Sequence, residues 1–187
     1  MKEIKIKSNL SIEQLQKIRN QVERIKLAYK EASSNFVEQA TQTFYDYVVL
    51  NCSVTGKYNK ISNPETRIQM EYDKTSNIGI VYSSDYVIIF NEFGTGVNGT
   101  QDDWADKHGY QVNLSGKGEK GWWYPTDEND SNPFKYTDKS GQLRAFTQGL
   151  DSGHMFYDAL LDLQDELKDI VEVSFGKTID KNLGDLY

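Results

Sequence analysis

The sequence predicts an α+β fold: N-terminal helices, a central antiparallel sheet with long loops, and a C-terminal helix packed on the sheet. Three observations lead there. Leu15, Ile18, Val22, Ile25 and Tyr29 recur at alternating steps of three and four, the spacing of an apolar helical stripe. Between Thr66 and Phe90 the pattern changes to alternating β-formers. From Phe156 to Ile170 helical spacing returns through Leu160, Leu163 and Leu167. With 187 residues and no proline-rich or serine-rich linker, one α+β domain over 1–187 is expected.

The elements follow in order. Residues 2–7 alternate lysine and isoleucine in a strand-like way, and residues 1–10 are expected to form a strand or arm. Ser11-Ile12-Glu13-Gln14 has the S-x-x-Q spacing of a capping box, so a helix should begin near Ile12. Its two-heptad stripe is expected to be an ordinary core face rather than a coiled-coil seam. Ser33-Ser34-Asn35 either breaks this helix or caps a new one, and Phe36, Ala40, Phe44 and Val48 carry the spacing on to about Leu50.

Ile68, Met70 and Tyr72, then Ile78, Ile80 and Tyr82, then Tyr86 to Phe90 read as three strands. Asp73–Asn77 and Ser83–Asp85 supply the turns, too short for helical crossovers, so the pairing should be antiparallel. Trp122-Trp123-Tyr124 reads as one more short strand between two polar, glycine-rich loops, 94–120 and 125–143. The last helix should begin between Ser152 and Met155, with Asp158, Asp162, Asp165 and Asp169 on its wet face and Gly176 at its C-terminal cap. Residues 178–187 are expected to be a frayed tail.

Composition narrows the function classes. A net charge of −7 argues against specific nucleic-acid binding, which needs a concentrated basic face. Neither a secretory h-region nor an apolar run long enough for a bilayer occurs, so no membrane association is expected. The single cysteine, Cys52, has no internal disulfide partner and reads as a small side chain at a helix end. The first 32 residues carry an excess of Lys and Arg, whereas residues 151–187 carry nine acids against three lysines. Such polarity is satisfied either inside one subunit or between neighbouring copies.

Candidate chemistry is sparse. Gly94-Thr95-Gly96-Val97-Asn98-Gly99 matches G-x-G-x-x-G, but the segment after it is short and acidic, with three Asp between 102 and 106, and would repel a pyrophosphate. Asp127, Asn129, Ser131 and Asp138 stand at positions 1, 3, 5 and 12 of a calcium loop, yet position 6 is Asn132 where glycine is needed. His108 and His154 have no zinc-type spacing. Glu92, after an apolar run, is either a buried acid–base group or a carboxylate accepting from the neighbouring turn. No catalytic residue, cofactor or metal is therefore expected.

Four pieces occur in a suggestive order: Val54-Thr55-Gly56 after a long helix, Asn91-Glu92-Phe93-Gly94-Thr95 after a β-rich segment, Gly121-Trp122-Trp123-Tyr124, and Thr147-Gln148-Gly149 leading to His154-Met155-Phe156. Together, over roughly residues 35–170, they resemble the minor head–tail joining, or tail-completion, proteins of siphophage necks. The chain departs from that family's pattern at Asn51-Cys52-Ser53, where a proline often precedes the threonine-glycine turn, and at Lys57-Tyr58. The resemblance implies a non-enzymatic virion assembly protein of a lytic phage or prophage, made in the bacterial host cytoplasm and placed in the neck. Its partners would be other neck and tail proteins and further copies of itself in a ring. The assembly candidates it marks are Thr55, Gly56, Glu92, Gly94, Thr95, Gly121, Trp122, Trp123, Gly149 and Met155.

Exposed aromatics among Trp104, Trp122, Trp123, Phe134 and Tyr136 would be hot spots for such partners. The plainer alternative is that Trp122 and Trp123 alternate across the sheet, one buried and one lidded by a loop. A rival function class is a small-molecule or glycan-binding module, whose tryptophans stack on a sugar while Asp102, Asp103, Asn129 and Asp130 bind its hydroxyls. An enzyme centred on Glu92 or the histidines would instead show a deep pocket with converging titratable groups.

Overall fold

The capping box closes as the spacing requires: the Ser11 amide donates to Gln14 Oε1 (2.7 Å) and the Gln14 amide to Ser11 Oγ (3.2 Å). From there a single helix, α1 (Ile12–Ser53), runs for 42 residues. This computed structural model describes residues 11–54, 61–96, 98, 107 and 121–183. The expected N-terminal arm (1–10), Thr55, Gly56 and most of the 97–120 loop lie outside them.

The expected helix break at Ser33-Ser34-Asn35 does not occur. All three polar side chains are held instead by tertiary partners: Ser33 Oγ accepts from Asn77 Nδ2, Ser34 shares a hydrogen bond with the Tyr72 phenol, and Asn35 Nδ2 donates to Thr178 Oγ1. With partners outside the helix, these side chains no longer compete for its backbone.

A 3-10 turn (Pro64–Thr66) leads to β1 (Gln69–Asp73) and β2 (Ile78–Tyr82), an antiparallel pair turning at Asp73–Asn77 as the sequence suggests. The third expected strand is a helix, α2 (Tyr86–Phe93). A five-residue apolar run does not distinguish a strand from a buried helix. Here Asp85 decides, because its Oδ1 accepts the Val87 amide (2.7 Å) as an N-cap while its Oδ2 pairs with Arg67 Nη1 (2.5 Å).

The remaining strands are β3 (Trp122–Pro125), β4 (Lys135–Thr137), β5 (Leu143–Thr147) and β6 (Gly149–Leu150), followed by α3 (Met155–Leu183). The first three form an antiparallel sheet in the order β3-β5-β4. The polar 125–143 stretch is thus a strand hairpin for part of its length, not only a loop. Gly176 lies inside α3 rather than at its cap, and the expected frayed tail from 178 is helical to Leu183. The fold class is α+β, with the C-terminal helix on the N-terminal helix and sheet.

The chain divides into two compact units, and both long helices contribute to each. Unit 1 is Met1–Gln42, Tyr72–Ile80 and Asp165–Tyr187. In it α3 lies along α1 through small and polar side chains: Ala28 and Ala32 are buried, Ser174 Oγ donates to Gln39 Oε1 (2.9 Å), and Lys181 pairs with Glu31 (3.1 Å). This ion pair runs opposite to the basic-helix, acidic-helix polarity, with its lysine on α3 and its glutamate on α1. Unit 2 is Thr43–Glu71 and Val81–Gln164, with a core of Val48, Cys52, Ile61, Ile68, Ile88 and Met155.

The apolar stripe at the start of α1 is the main departure from expectation. It is no core face: every residue from Ser11 to Leu27 is exposed.

Candidate functional site

In unit 2, two motif pieces about sixty residues apart meet in one clasp. Glu92, in the last turn of α2, is 5% exposed. Its Oε2 accepts the Phe156 amide (2.8 Å) and its Oε1 the Tyr157 amide (3.3 Å). These amides belong to the first turn of α3, where no intrahelical acceptor exists and the helix dipole favours a negative charge. The backbone repeats the link, since Gly153 N donates to Asn91 O (2.6 Å) and His154 N to Glu92 O (3.3 Å).

Beyond Gly94, isolated antiparallel bridges join Thr95 to Leu150 and Gly96 to Gly149. Gly149 has φ +113°, and a Cβ there would stand 1.7 Å from the Thr95 carbonyl oxygen. No L side chain fits. Met155 is fully buried at the head of α3, its carbonyl accepting from Asn51 Nδ2 (3.0 Å) and its sulfur 3.5 Å from Cys52 Sγ.

The electrostatics of the clasp are those of a buried carboxylate. Burial raises the Glu92 pKa, the backbone amides of Phe156, Tyr157 and Met155 oppose the rise, and Asp158 adds to it. Burial, reinforced by the Glu92 charge, pushes the Cys52 thiol up to about 12, so it stays protonated and unreactive at neutral pH. A cavity of about 340 Å³ adjoins, lined mainly by Phe44, Val81, Ile88, Phe156 and Leu160 beside Glu92. Each Glu92 oxygen holds one backbone amide at the start of α3.

The second feature is an aromatic face on the three-stranded sheet. Trp123 pairs with Phe146 and Tyr136 with Arg144 across the strands. Side-chain alternation therefore puts Trp123, Phe146, Arg144 and Tyr136 on one face, and Trp122, Tyr124 and the fully buried Ala145 on the other. Trp123 meets Tyr136 edge-to-face at 4.7 Å and lies tilted 5.2 Å from Phe146. Trp123 (43%), Tyr136 (44%) and the adjoining Phe134 (68%) remain exposed.

The two tryptophans do alternate across the sheet. The inner one, Trp122, is half-buried against Gly96, and the outer one is open. Gly121 enters β3 at φ +90°, with Thr147 O 2.4 Å from where a Cβ would be. Glu92, Gly94, Thr95, Gly149 and Met155 thus share the clasp, Gly121, Trp122 and Trp123 the sheet, and Thr55 and Gly56 lie outside the described residues.

The acidic loop is internally satisfied. Asp130 accepts from Thr126 Oγ1 (2.5 Å), the Tyr124 phenol (2.7 Å) and the Asn132 amide (2.8 Å), and these bonds lower its pKa to about 2. Lys135 Nζ donates to the carbonyls of Asp127, Glu128 and Asp130, placing an ammonium where a calcium loop would hold its cation. Asp138 is held by Ser140 and by Arg144 Nε (2.6 Å), well below the usual carboxylate range. Among the described residues no group of three His, Cys, Asp or Glu is placed to hold a metal ion, and no helix is long and apolar enough to cross a membrane.

No family model, curated protein or solved structure matches the chain.

Sequence reasoning missed Phe146 and its strand. The signal was weak, because Leu143-Arg144-Ala145-Phe146-Thr147 breaks apolar–polar alternation at Phe146, whose face carries the aromatic cluster instead of solvent-facing polar side chains.

Proposed function

We propose that this chain is a non-enzymatic virion assembly protein of the phage head–tail junction, a neck or tail-completion component acting through surfaces rather than through a catalytic site. The observation that carries the reading is the clasp. The N-E-F-G-T turn and the glycine-led helix, weak as separate short matches, hold each other through Glu92 with Phe156 and through the Thr95–Leu150 and Gly96–Gly149 bridges. The resemblance therefore extends over one interlocked structural unit.

On that frame the aromatic face offers what a partner surface needs: rigid, amphipathic rings at low conformational cost, ringed by polar loops. Other neck and tail proteins are its proposed partners, with further copies of the chain completing a ring, in the virion neck and, during assembly, in the host cytoplasm. Immunogold electron microscopy of virions carrying this chain should show label confined to the neck. Virions unlabelled at neck, head and tail, with the epitope shown to be accessible, would overturn the reading.

A second reading, a glycan-binding module, draws on the same clustered rings. Against it, Asp130, which would bind sugar hydroxyls, spends its oxygens on Thr126, Tyr124 and Asn132. Quenching of Trp123 fluorescence by oligosaccharides, lost in Trp123→Ala, would favour it.

A further inference from the structure

We infer that the cavity beside the clasp is a binding site for a small organic cation, an ammonium carrying short alkyl groups, held between aromatic rings and the Glu92 carboxylate. The site goes beyond the assembly reading and does not depend on it. The cavity of about 340 Å³ lies wholly within unit 2, and four of the residues lining it are aromatic: Phe44, Phe93, Phe156 and Tyr157. Its lining is buried or half-buried except at Leu160, which is 39% exposed and marks the mouth.

Glu92 selects the charge of the ligand. An ionised carboxylate offers about four lone-pair sites. Glu92 accepts one amide at each oxygen, from Phe156 and Tyr157, with the Met155 amide contributing as well. Acceptor capacity therefore remains on a side chain that lines the cavity and is 5% exposed. Among the described residues no lysine or arginine pairs with it, and the side-chain charge that acts on it, Asp158, has the same sign. A buried anion without a counter-ion is costly, and a cation entering the cavity relieves that cost.

The walls select the kind of cation. A hard metal ion such as calcium takes about six to eight oxygen ligands, whereas these walls are mainly rings and aliphatic carbon. An alkylammonium is instead attracted by the negative faces of aromatic rings while its alkyl groups pack on them. Phe44 and Phe156 stand edge to face at 6.2 Å with their planes 79° apart, two walls of a corner rather than a closed stack. The volume lies at the small end of ligand sites and suits a quaternary head group with a short chain.

Isothermal titration calorimetry of the full chain with choline and with tetramethylammonium, at constant ionic strength, tests the assignment. The control is the neutral isostere of choline in which carbon replaces the quaternary nitrogen, so that shape is kept and charge removed. Choline is expected to bind with a Kd of about 1 mM or tighter, and at least about 10-fold more tightly than the isostere. Glu92→Gln, which keeps an acceptor for the α3 amides, should erase that preference. Phe44→Leu, which keeps the wall apolar but removes a ring, should reduce it about 3-fold. In nuclear magnetic resonance spectra the choline-induced shifts should centre on the Phe156 and Tyr157 amides. A capped trimethyl-lysine peptide separates two sources of the same chemistry: its binding shows that the mouth admits a side chain presented by another protein, and its exclusion reserves the cavity for a free ligand. The inference is overturned if neither choline nor tetramethylammonium binds up to about 20 mM, if the isostere binds as tightly as choline, or if folded Glu92→Gln keeps the wild-type preference. The wild-type comparison decides without either variant, and none of these measurements uses virions.

Discussion

Replacing Glu92 tests the clasp most directly. In Glu92→Ala the Phe156 and Tyr157 amides lose their acceptor at a site 5% exposed to solvent. An unsatisfied buried donor costs about 1–3 kcal/mol and a lost N-cap about 0.5–2 kcal/mol. Against this stands the relief of no longer burying a carboxylate, the cost reported by its raised pKa. A net loss of about 2 kcal/mol at pH 7 is expected, lowering Tm by about 4–8 °C for a chain of this size. Glu92→Gln keeps one acceptor oxygen and should lose about half as much.

The pH dependence carries a sign. Because the folded pKa is raised above the ordinary 4.5, the folded state binds more protons than the unfolded one between 4.5 and that raised value. The contribution is fully present below 4.5 and is lost as pH rises through the folded value. Urea unfolding from pH 4 to 8 should therefore show wild-type stability falling relative to Glu92→Gln across that window. Below about 3.8 the depressed Asp130 and Asp138 act in the opposite sense, so the two effects separate. Glu92→Ala within about 0.5 kcal/mol of wild type, or a Glu92→Gln chain with the wild-type slope, would refute the argument.

Three further outcomes follow from the same geometry. Gly149→Ala puts a methyl group into the Thr95 carbonyl at a positive φ, and should cost more than about 3 kcal/mol, seen as loss of cooperative thermal unfolding or of soluble protein. Gly79→Ala drives its Cβ to 1.6 Å from Thr41 Oγ1, a hydroxyl fixed by its bond to Val37 O (2.6 Å). A loss of about 2 kcal/mol is expected, and Thr41→Ala in the same chain should restore most of it, a coupling read by a double-mutant cycle in urea. Trp123→Ala should leave the far-ultraviolet circular dichroism unchanged and weaken incorporation into virions by about 30-fold, the effect of one aromatic anchor worth about 2 kcal/mol. Wild-type incorporation would remove Trp123 from the partner surface.

Much of the fold is legible because its signals are local. The capping box at Ser11–Gln14, the turn at Asp73–Asn77 and the Trp122–Tyr124 strand need nothing beyond neighbours a few residues away. Three readings fail for one reason, that the deciding partner is distant in sequence. Tyr86–Phe90 is helical because Asp85, itself paired with Arg67, caps it. The helix passes through Ser33–Asn35 because Tyr72, Asn77 and Thr178 take up the polar side chains. The 178–183 segment stays helical because Lys181 and Asn182 bind Glu31.

The candidate site divides in the same way. That Glu92, Gly149 and Met155 matter is readable from their motifs, but not that Glu92 spends its charge on the end of α3. By itself the sequence determined the α+β class, the capped start and helical period of α1, the β1–β2 hairpin, β3 and the start of α3, since hydrophobic period and capping act within a few residues. Only the tertiary structure decided which apolar faces are buried and which are left open, because burial depends on what the rest of the chain brings to each face.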